Sequence, residues 1–341
     1  MRVNTVLKYV SFLLLLFFVA CKTDQKQPTP EVTVPKTKKS IPVPKFNAEN
    51  AYAHIEKQVS FGPRSPNSDG HAACKEYIIK ELEALGIKIS TQDFKATGWE
   101  GTPYNGTNII GSFNPDNKER IILAAHWDTR FTADEDDDNN SASVQADDGG
   151  SGVGALLEMG RLLKENPIEL GVDLIFYDME DQGQRNGPEG SFVTWGLGAQ
   201  YWSKNPHVAG YTAKYGILLD MVGAKGAQFP KENVNGIFKP NVTRRVHSLY
   251  SKVWKLAASM GRAEYFVDRT VNGGIDDHFF VNKIAEIPMI DIINKPNEEN
   301  SMFGDHWHTH DDNMDVIDVA TLKNVGQVVT AVVYKEEMGK F

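Results

Sequence analysis

Apolar residues along the chain change their period several times, and each change marks an element. Over residues 71–85 they recur every three or four positions up to Gly86, which predicts a helix capped by Ser65 or Asn67 and stopped by the glycine. A shorter helix over 51–59 follows Asn47 or Asn50 as its cap. Residues 152–164 (GVGALLEMGRLLK) predict a third, ending near Asn166-Pro167 because the residue before a proline avoids helical backbone. Residues 243–260 and 319–338 predict two more. Between these lie short apolar runs at 108–113, 120–125, 172–177, 215–221 and 287–292, the longest of them without alternation, as in strands buried on both faces. The turn Asn114-Pro-Asp-Asn117 predicts that the first two of these strands form a hairpin. Strands alternating with helices predict an α/β fold, a three-layer sandwich with a central mixed, mostly parallel sheet.

Polar residues gather where the strands end. His126 and Asp128 follow the 120–125 run, and Asp178, Glu180 and Asp181 follow 172–177. Asp220 closes a third run, and Asp147 and Asp148 precede the helix at Gly152. Open α/β sheets bind ligands beyond the carboxyl ends of their strands, so these groups are expected in one crevice. Further on, Gly304-Asp-His-Trp-His-Thr-His-Asp-Asp-Asn313 holds His306, His308 and His310. Glu180 and Asp181 are adjacent, and successive side chains at a strand end point different ways. One can therefore hold a metal while its neighbour faces the substrate as a general base. With Asp148 on the loop before Gly149-Gly150 and His308 supplying imidazole, Asp148, Asp181 and His308 make a three-ligand zinc site with one open position. His306 and His310 are expected to flank it rather than bind, and Asp311 and Asp312 to cap or orient the segment.

Several motifs together carry a family resemblance. They are His126-Trp-Asp-Thr, Ala146-Asp-Asp-Gly-Gly-Ser-Gly152, Asp178-Met-Glu-Asp181, Leu219-Asp-Met-Val-Gly223 and Trp307-His-Thr-His-Asp-Asp312. In order and spacing the chain resembles the zinc-dependent exopeptidases with an aminopeptidase-like fold. Ile275-Asp-Asp-His-Phe279 and Trp307-His-Thr narrow the likeness to the glutaminyl-peptide cyclotransferases. The resemblance implies one zinc per chain on Asp148, Asp181 and His308, with Glu180 as acid/base and Asp220 and Asp277 as a hydrogen-bonding pair. It implies substrates that are peptides or proteins beginning with glutamine, cyclised to pyroglutamate with release of ammonia. Trp307 is then a pocket wall, and Trp195 is either a second wall or local packing; Trp127 is expected in the core. Two departures stand out. The family usually has glutamate where Asp181 stands, one methylene longer. His126 and Asp220 match positions that hold a second metal in dinuclear aminopeptidases, which makes such an aminopeptidase the alternative reading and His126 a second-metal or outer-shell residue. A non-catalytic binder of peptide N-termini is a third reading, disfavoured by the intact Glu180 and ligand set.

Composition sets the surroundings. Arg2 and Lys8 flank an apolar run over 10–20 that is short of the ~20 residues a spanning helix needs. Its end, Phe18-Val19-Ala20-Cys21, resembles a bacterial lipobox, which implies cleavage before Cys21 and a lipid on its thiol; the alternative is an ordinary secretory signal with Cys21 incidental. Residues 22–45, rich in Pro, Lys and Thr, predict an extended tether. The expected organisation is a lipoprotein-type signal over 1–20, a lipidated cysteine and linker over 21–45, and one catalytic domain over 46–341, exported, periplasmic and anchored to a membrane. Cys74 is the other cysteine, so no internal disulfide is expected, and its helical setting predicts packing. A net charge of −9 argues against nucleic-acid binding. The acidic run Asp134-Glu-Asp-Asp-Asp138 has oxygen ligands for calcium but no regular ligand spacing, so a solvated loop is expected.

Overall fold

A computed structural model of the protein describes residues 40–137, 139, 141–296 and 303–341, all within one unit spanning 38–341. The signal segment, Cys21 and most of the linker lie outside the described residues, as does Asp138 of the acidic run.

In chain order the main elements are α1 (Ala48–Val59), α2 (Asp69–Leu85), β1 (Lys88–Thr97), β2 (Pro103–Phe113), β3 (Arg120–His126), α3 (Gly150–Glu165) and β4 (Gly171–Tyr177). They continue with α4 (Leu197–Lys204), β5 (Gly216–Asp220), β6 (Lys231–Asn233), α5 (Pro240–Ser259), β7 (Thr270–Asn272), α6 (Asp277–Phe280), β8 (Met289–Ile293) and α7 (Val319–Glu337). Six strands form one mixed sheet in the order β1-β2-β4-β3-β5-β8. β1, β2 and β4 pair antiparallel, whereas β4, β3, β5 and β8 run parallel. Every residue of β3, β4, β5 and β8 is buried, so helices must cover both faces. α3 packs on β3 and β5 and is itself covered by α1, α2 and α7. Its glycines make that approach possible: a Cβ on Gly152 would lie 2.1 Å from the Leu219 carbonyl oxygen of β5.

The predicted hairpin does not form. β4 lies between β2 and β3, pairing Phe113 with Val172 on one side and Arg120 with Gly171 on the other. The turn asparagines explain the insertion, because they bond to the approach to β4 instead of closing a hairpin. Asn114 Nδ2 donates to the carbonyls of Ile168 and Leu170, and Asn117 Nδ2 to that of Glu169. Asn47 caps α1 as expected, but α2 is capped by Ser68, whose Oγ accepts from His71 N. Ser65 and Asn67 are used elsewhere, donating to the carbonyls of Arg130 and Pro103. β1 has no counterpart among the predicted strands. It is an edge strand with only Phe94 buried, so it presents no apolar run.

Candidate metal centre

Four parallel strands end at one edge of the sheet, and each delivers a polar group there. His126 ends β3, Asp220 ends β5, Glu180 and Asp181 follow β4, and Lys295 lies just past β8. The turn after β4 is clamped from two sides. Asp178 accepts from Thr107 N (2.6 Å) and Met179 N (2.8 Å), with His71 Nε2 at 2.9 Å. Asp128 accepts from the backbone N–H of Glu180 (3.0 Å) and Asp181 (3.3 Å) and from Gln182 Nε2 (2.9 Å). Four non-glycine residues here, Gln145, Met179, Met221 and His308, have left-handed φ of 42°, 59°, 47° and 56°. Each costs on the order of 1 kcal/mol or more, held by the surrounding contacts to aim Glu180, Asp220 and His308.

The structure brings the predicted ligand set together. His308 Nε2 is 2.9 Å from Asp181 Oδ1 and 3.6 Å from Asp148 Oδ2. Gln145, absent from the predicted site, donates Nε2 to Asp148 (2.7 Å) and Asp181 (2.6 Å) and holds the two carboxylates side by side. The shorter Asp181 reaches the ligand cluster from its turn. Asp312 orients the Asp148 loop by accepting from Asp147 N (2.7 Å) and Asp148 N (3.1 Å), while His306 Nε2 lies 3.0 Å from Asp147 Oδ2.

His126 joins a second triad through the same aspartate. Its Nε2 is 3.0 Å from Asp148 Oδ1 and 3.2 Å from Asp220 Oδ1. Donor atoms of Asp148, Asp181 and His308 lie within 4.8 Å of one another, and so do those of His126, Asp148 and Asp220.

The donor chemistry fits a divalent cation. Burial and the charge of Asp181 push the Asp148 carboxyl up to about 6. Burial acts on Asp181 in the same direction, but His308 and Arg130 outweigh it and hold that carboxyl below its usual range. Two buried carboxylates facing one imidazole are the hard and borderline ligands that zinc takes, and a cation between them removes their repulsion. Burial, then the neighbouring Asp276, pushes the Glu180 carboxyl well up. A metal beside it would draw it back down.

These groups line a cavity of about 590 Å³. Trp307 stacks on His308 at 3.8 Å, and Trp195 faces the same ring at 6.3 Å. Both tryptophans line the cavity, so Trp195 is a second wall. Trp127 is fully buried, as expected. One predicted pair is not brought together. Asp276 lines the cavity with Asp220, whereas Asp277 does not line it and is fully buried on the first turn of α6, near Gly196. Asp276 stands outside the helix as its N-cap, in extended backbone, which turns it towards the strand ends. Sequence reasoning also missed the cluster of Glu232, His278, Asp291 and Lys295, of which Asp291 and Lys295 line the cavity; Glu232 on β6 and Lys295 past β8 belong to no motif. A groove of about 670 Å³ between α2 and β1–β2 gathers no such ligand set.

Fold and site together define a zinc-exopeptidase class of enzyme. Residues 108–333 match peptidase family M28, and the chain belongs to that family. It is similar to a glutaminyl cyclase of Bacteroides thetaiotaomicron solved with N-acetylhistamine: 46% identity, TM-score 0.80, covering 86% of this chain and 99% of that one. It is similar as well to a leucine aminopeptidase precursor of the same species, with 45% identity, TM-score 0.79 and the same coverage. Among curated proteins, the glutaminyl-peptide cyclotransferase of Drosophila melanogaster is 26% identical over 293 residues, 78% of this chain and 75% of that protein.

Proposed function

We propose that the protein is a zinc-dependent glutaminyl-peptide cyclotransferase, an acyltransferase that converts N-terminal glutamine to pyroglutamate and releases ammonia. The observation that carries this reading is Glu180, a buried carboxylate beside the Asp148–Asp181–His308 set but not part of it, in a cavity walled by Trp195 and Trp307. The relatives bearing that name support it.

Asp148, Asp181 and His308 would hold the zinc, which when bound supplies Lewis acidity to the substrate's γ-carbonyl. Glu180 takes a proton from the α-amine as that nitrogen bonds to the side-chain amide carbon. It then hands the proton to the amide nitrogen, which leaves as ammonia when the old carbon–nitrogen bond breaks. Asp220 and Asp276, on the same wall, accept hydrogen bonds from the nitrogen groups; Asp276 takes the place expected of Asp277. The two indoles keep the glutamine side chain folded for attack and exclude the water that would hydrolyse the amide instead.

The His126–Asp148–Asp220 cluster favours a second reading, a dinuclear aminopeptidase on the same scaffold. Titrating metal-stripped protein with zinc separates the two. Activity on a glutamine-initiated peptide that saturates at one equivalent supports the cyclase, and a requirement for two supports the aminopeptidase.

Export, signal removal and lipid attachment at Cys21, with a periplasmic site at a bacterial membrane, complete the proposal and rest on the sequence alone. Among the described residues no helix is long and apolar enough to cross a membrane. Radiolabelled fatty acid should appear on the wild-type chain and not on Cys21→Ser.

A further inference from the structure

The acidic run over 134–136 has no part in the reaction proposed above. In the structure two of its carboxylates, those of Asp134 and Asp136, turn onto the histidine segment. Asp134 Oδ1 lies 3.0 Å from His308 Nδ1, the ring nitrogen opposite the one that faces Asp148 and Asp181. Its other oxygen accepts from Arg130 Nη2 at 2.6 Å. That arginine also donates to the carbonyls of Asp181 (2.7 Å) and Gly183 (3.1 Å), and its guanidinium stands 4.9 Å from the Trp195 ring. Glu135 N donates to the His308 carbonyl at 3.2 Å, and the Glu135 side chain pairs with Arg185, which stands 5.3 Å from the Trp307 ring. Asp136 binds His310 through both its backbone N–H (2.7 Å) and Nδ1 (2.5 Å).

We infer that Asp134 is the positioning residue for the metal ligand His308. By accepting the Nδ1 proton it fixes the tautomer that leaves the Nε2 lone pair for the ion, and it fixes the ring plane between the two indoles. The bond is built to hold. His308 is 1% exposed with a strained backbone, and Asp134 is itself pinned by Arg130, which reaches the backbone of the second ligand, Asp181. One side chain thus ties the imidazole ligand to the turn that carries the carboxylate ligand. A calcium loop would aim these oxygens at a common centre; here they are spent one by one on His308, Arg130 and His310.

The inference rests on His308 binding metal, and the test is zinc affinity, measured by chelator competition on the purified protein and independent of which reaction the enzyme catalyses. Removing a carboxylate that orients a metal-bound histidine weakens metal binding about 10–100-fold. Asp134→Ala should show a loss of that order. Asp134→Asn keeps an acceptor oxygen without the charge and should fall between it and wild type, which also guards against misfolding of the alanine variant. Asp136→Ala loosens His310 only and should bind zinc within about threefold of wild type. Wild-type affinity in both Asp134 variants, or an equal loss in Asp136→Ala, overturns the assignment. His308→Ala with wild-type affinity overturns the ligand reading beneath it instead.

Discussion

Asp128→Ala probes how the fold delivers two site residues at once. The carboxylate is fully buried, Oδ1 accepting from Glu180 N and Oδ2 from Asp181 N and Gln182 Nε2. Truncation orphans three buried donors at about 1–3 kcal/mol each, an upper sum of about 9 kcal/mol. Water entering the emptied polar space recovers part of this, so the expected loss is about 3–5 kcal/mol. Against a typical total of about 5–15 kcal/mol that is a large fraction. Urea unfolding followed by circular dichroism in the metal-stripped protein measures it free of zinc binding. Asp128→Asn keeps an acceptor for two of the three donors if its oxygen takes the Oδ2 position, and turns N–H towards Glu180 N. It should therefore lose less stability yet still displace Glu180, with kcat down about 100-fold for a shift near 1 Å. A loss under about 1 kcal/mol for the alanine variant would refute the clamp.

Glu180→Gln should keep its zinc and lose about 10²–10⁴ in kcat; retained turnover removes Glu180 from the proton transfer. Stripping zinc should lower the melting temperature, and restoring it at about 1,000 times its Kd should return about 4 kcal/mol. A melting temperature indifferent to zinc contradicts the buried ligand set. Trp307→Ala opens the cavity to water, so mass spectrometry should detect N-terminal glutamate beside pyroglutamate; unchanged exclusive cyclisation shows that this indole does not exclude water.

Much of the site was legible because the fold delivers it from strand ends. Near-continuous apolar runs marked β3, β4, β5 and β8, and the acidic or imidazole groups at the ends of three of them converge as expected. What escaped depends on partners distant in sequence. β4 inserts between β2 and β3 because Asn114 and Asn117 bind the segment before it, and no local pattern encodes that choice. β1 hides because an exposed edge strand needs only one buried side chain. Asp276 and Asp277 are neighbours of the same type, told apart only by where α6 begins. Asp134 lies in a run that looks solvated until the histidine segment, 174 positions away, folds onto it.

The central claim is intramolecular cyclisation, and its most direct measurement is the product of a glutamine-initiated peptide incubated with the zinc-loaded protein. The account predicts one ammonia released per peptide, loss of the free amine and no free amino acid. Amino acids released stepwise from the N-terminus, without ammonia, would contradict it.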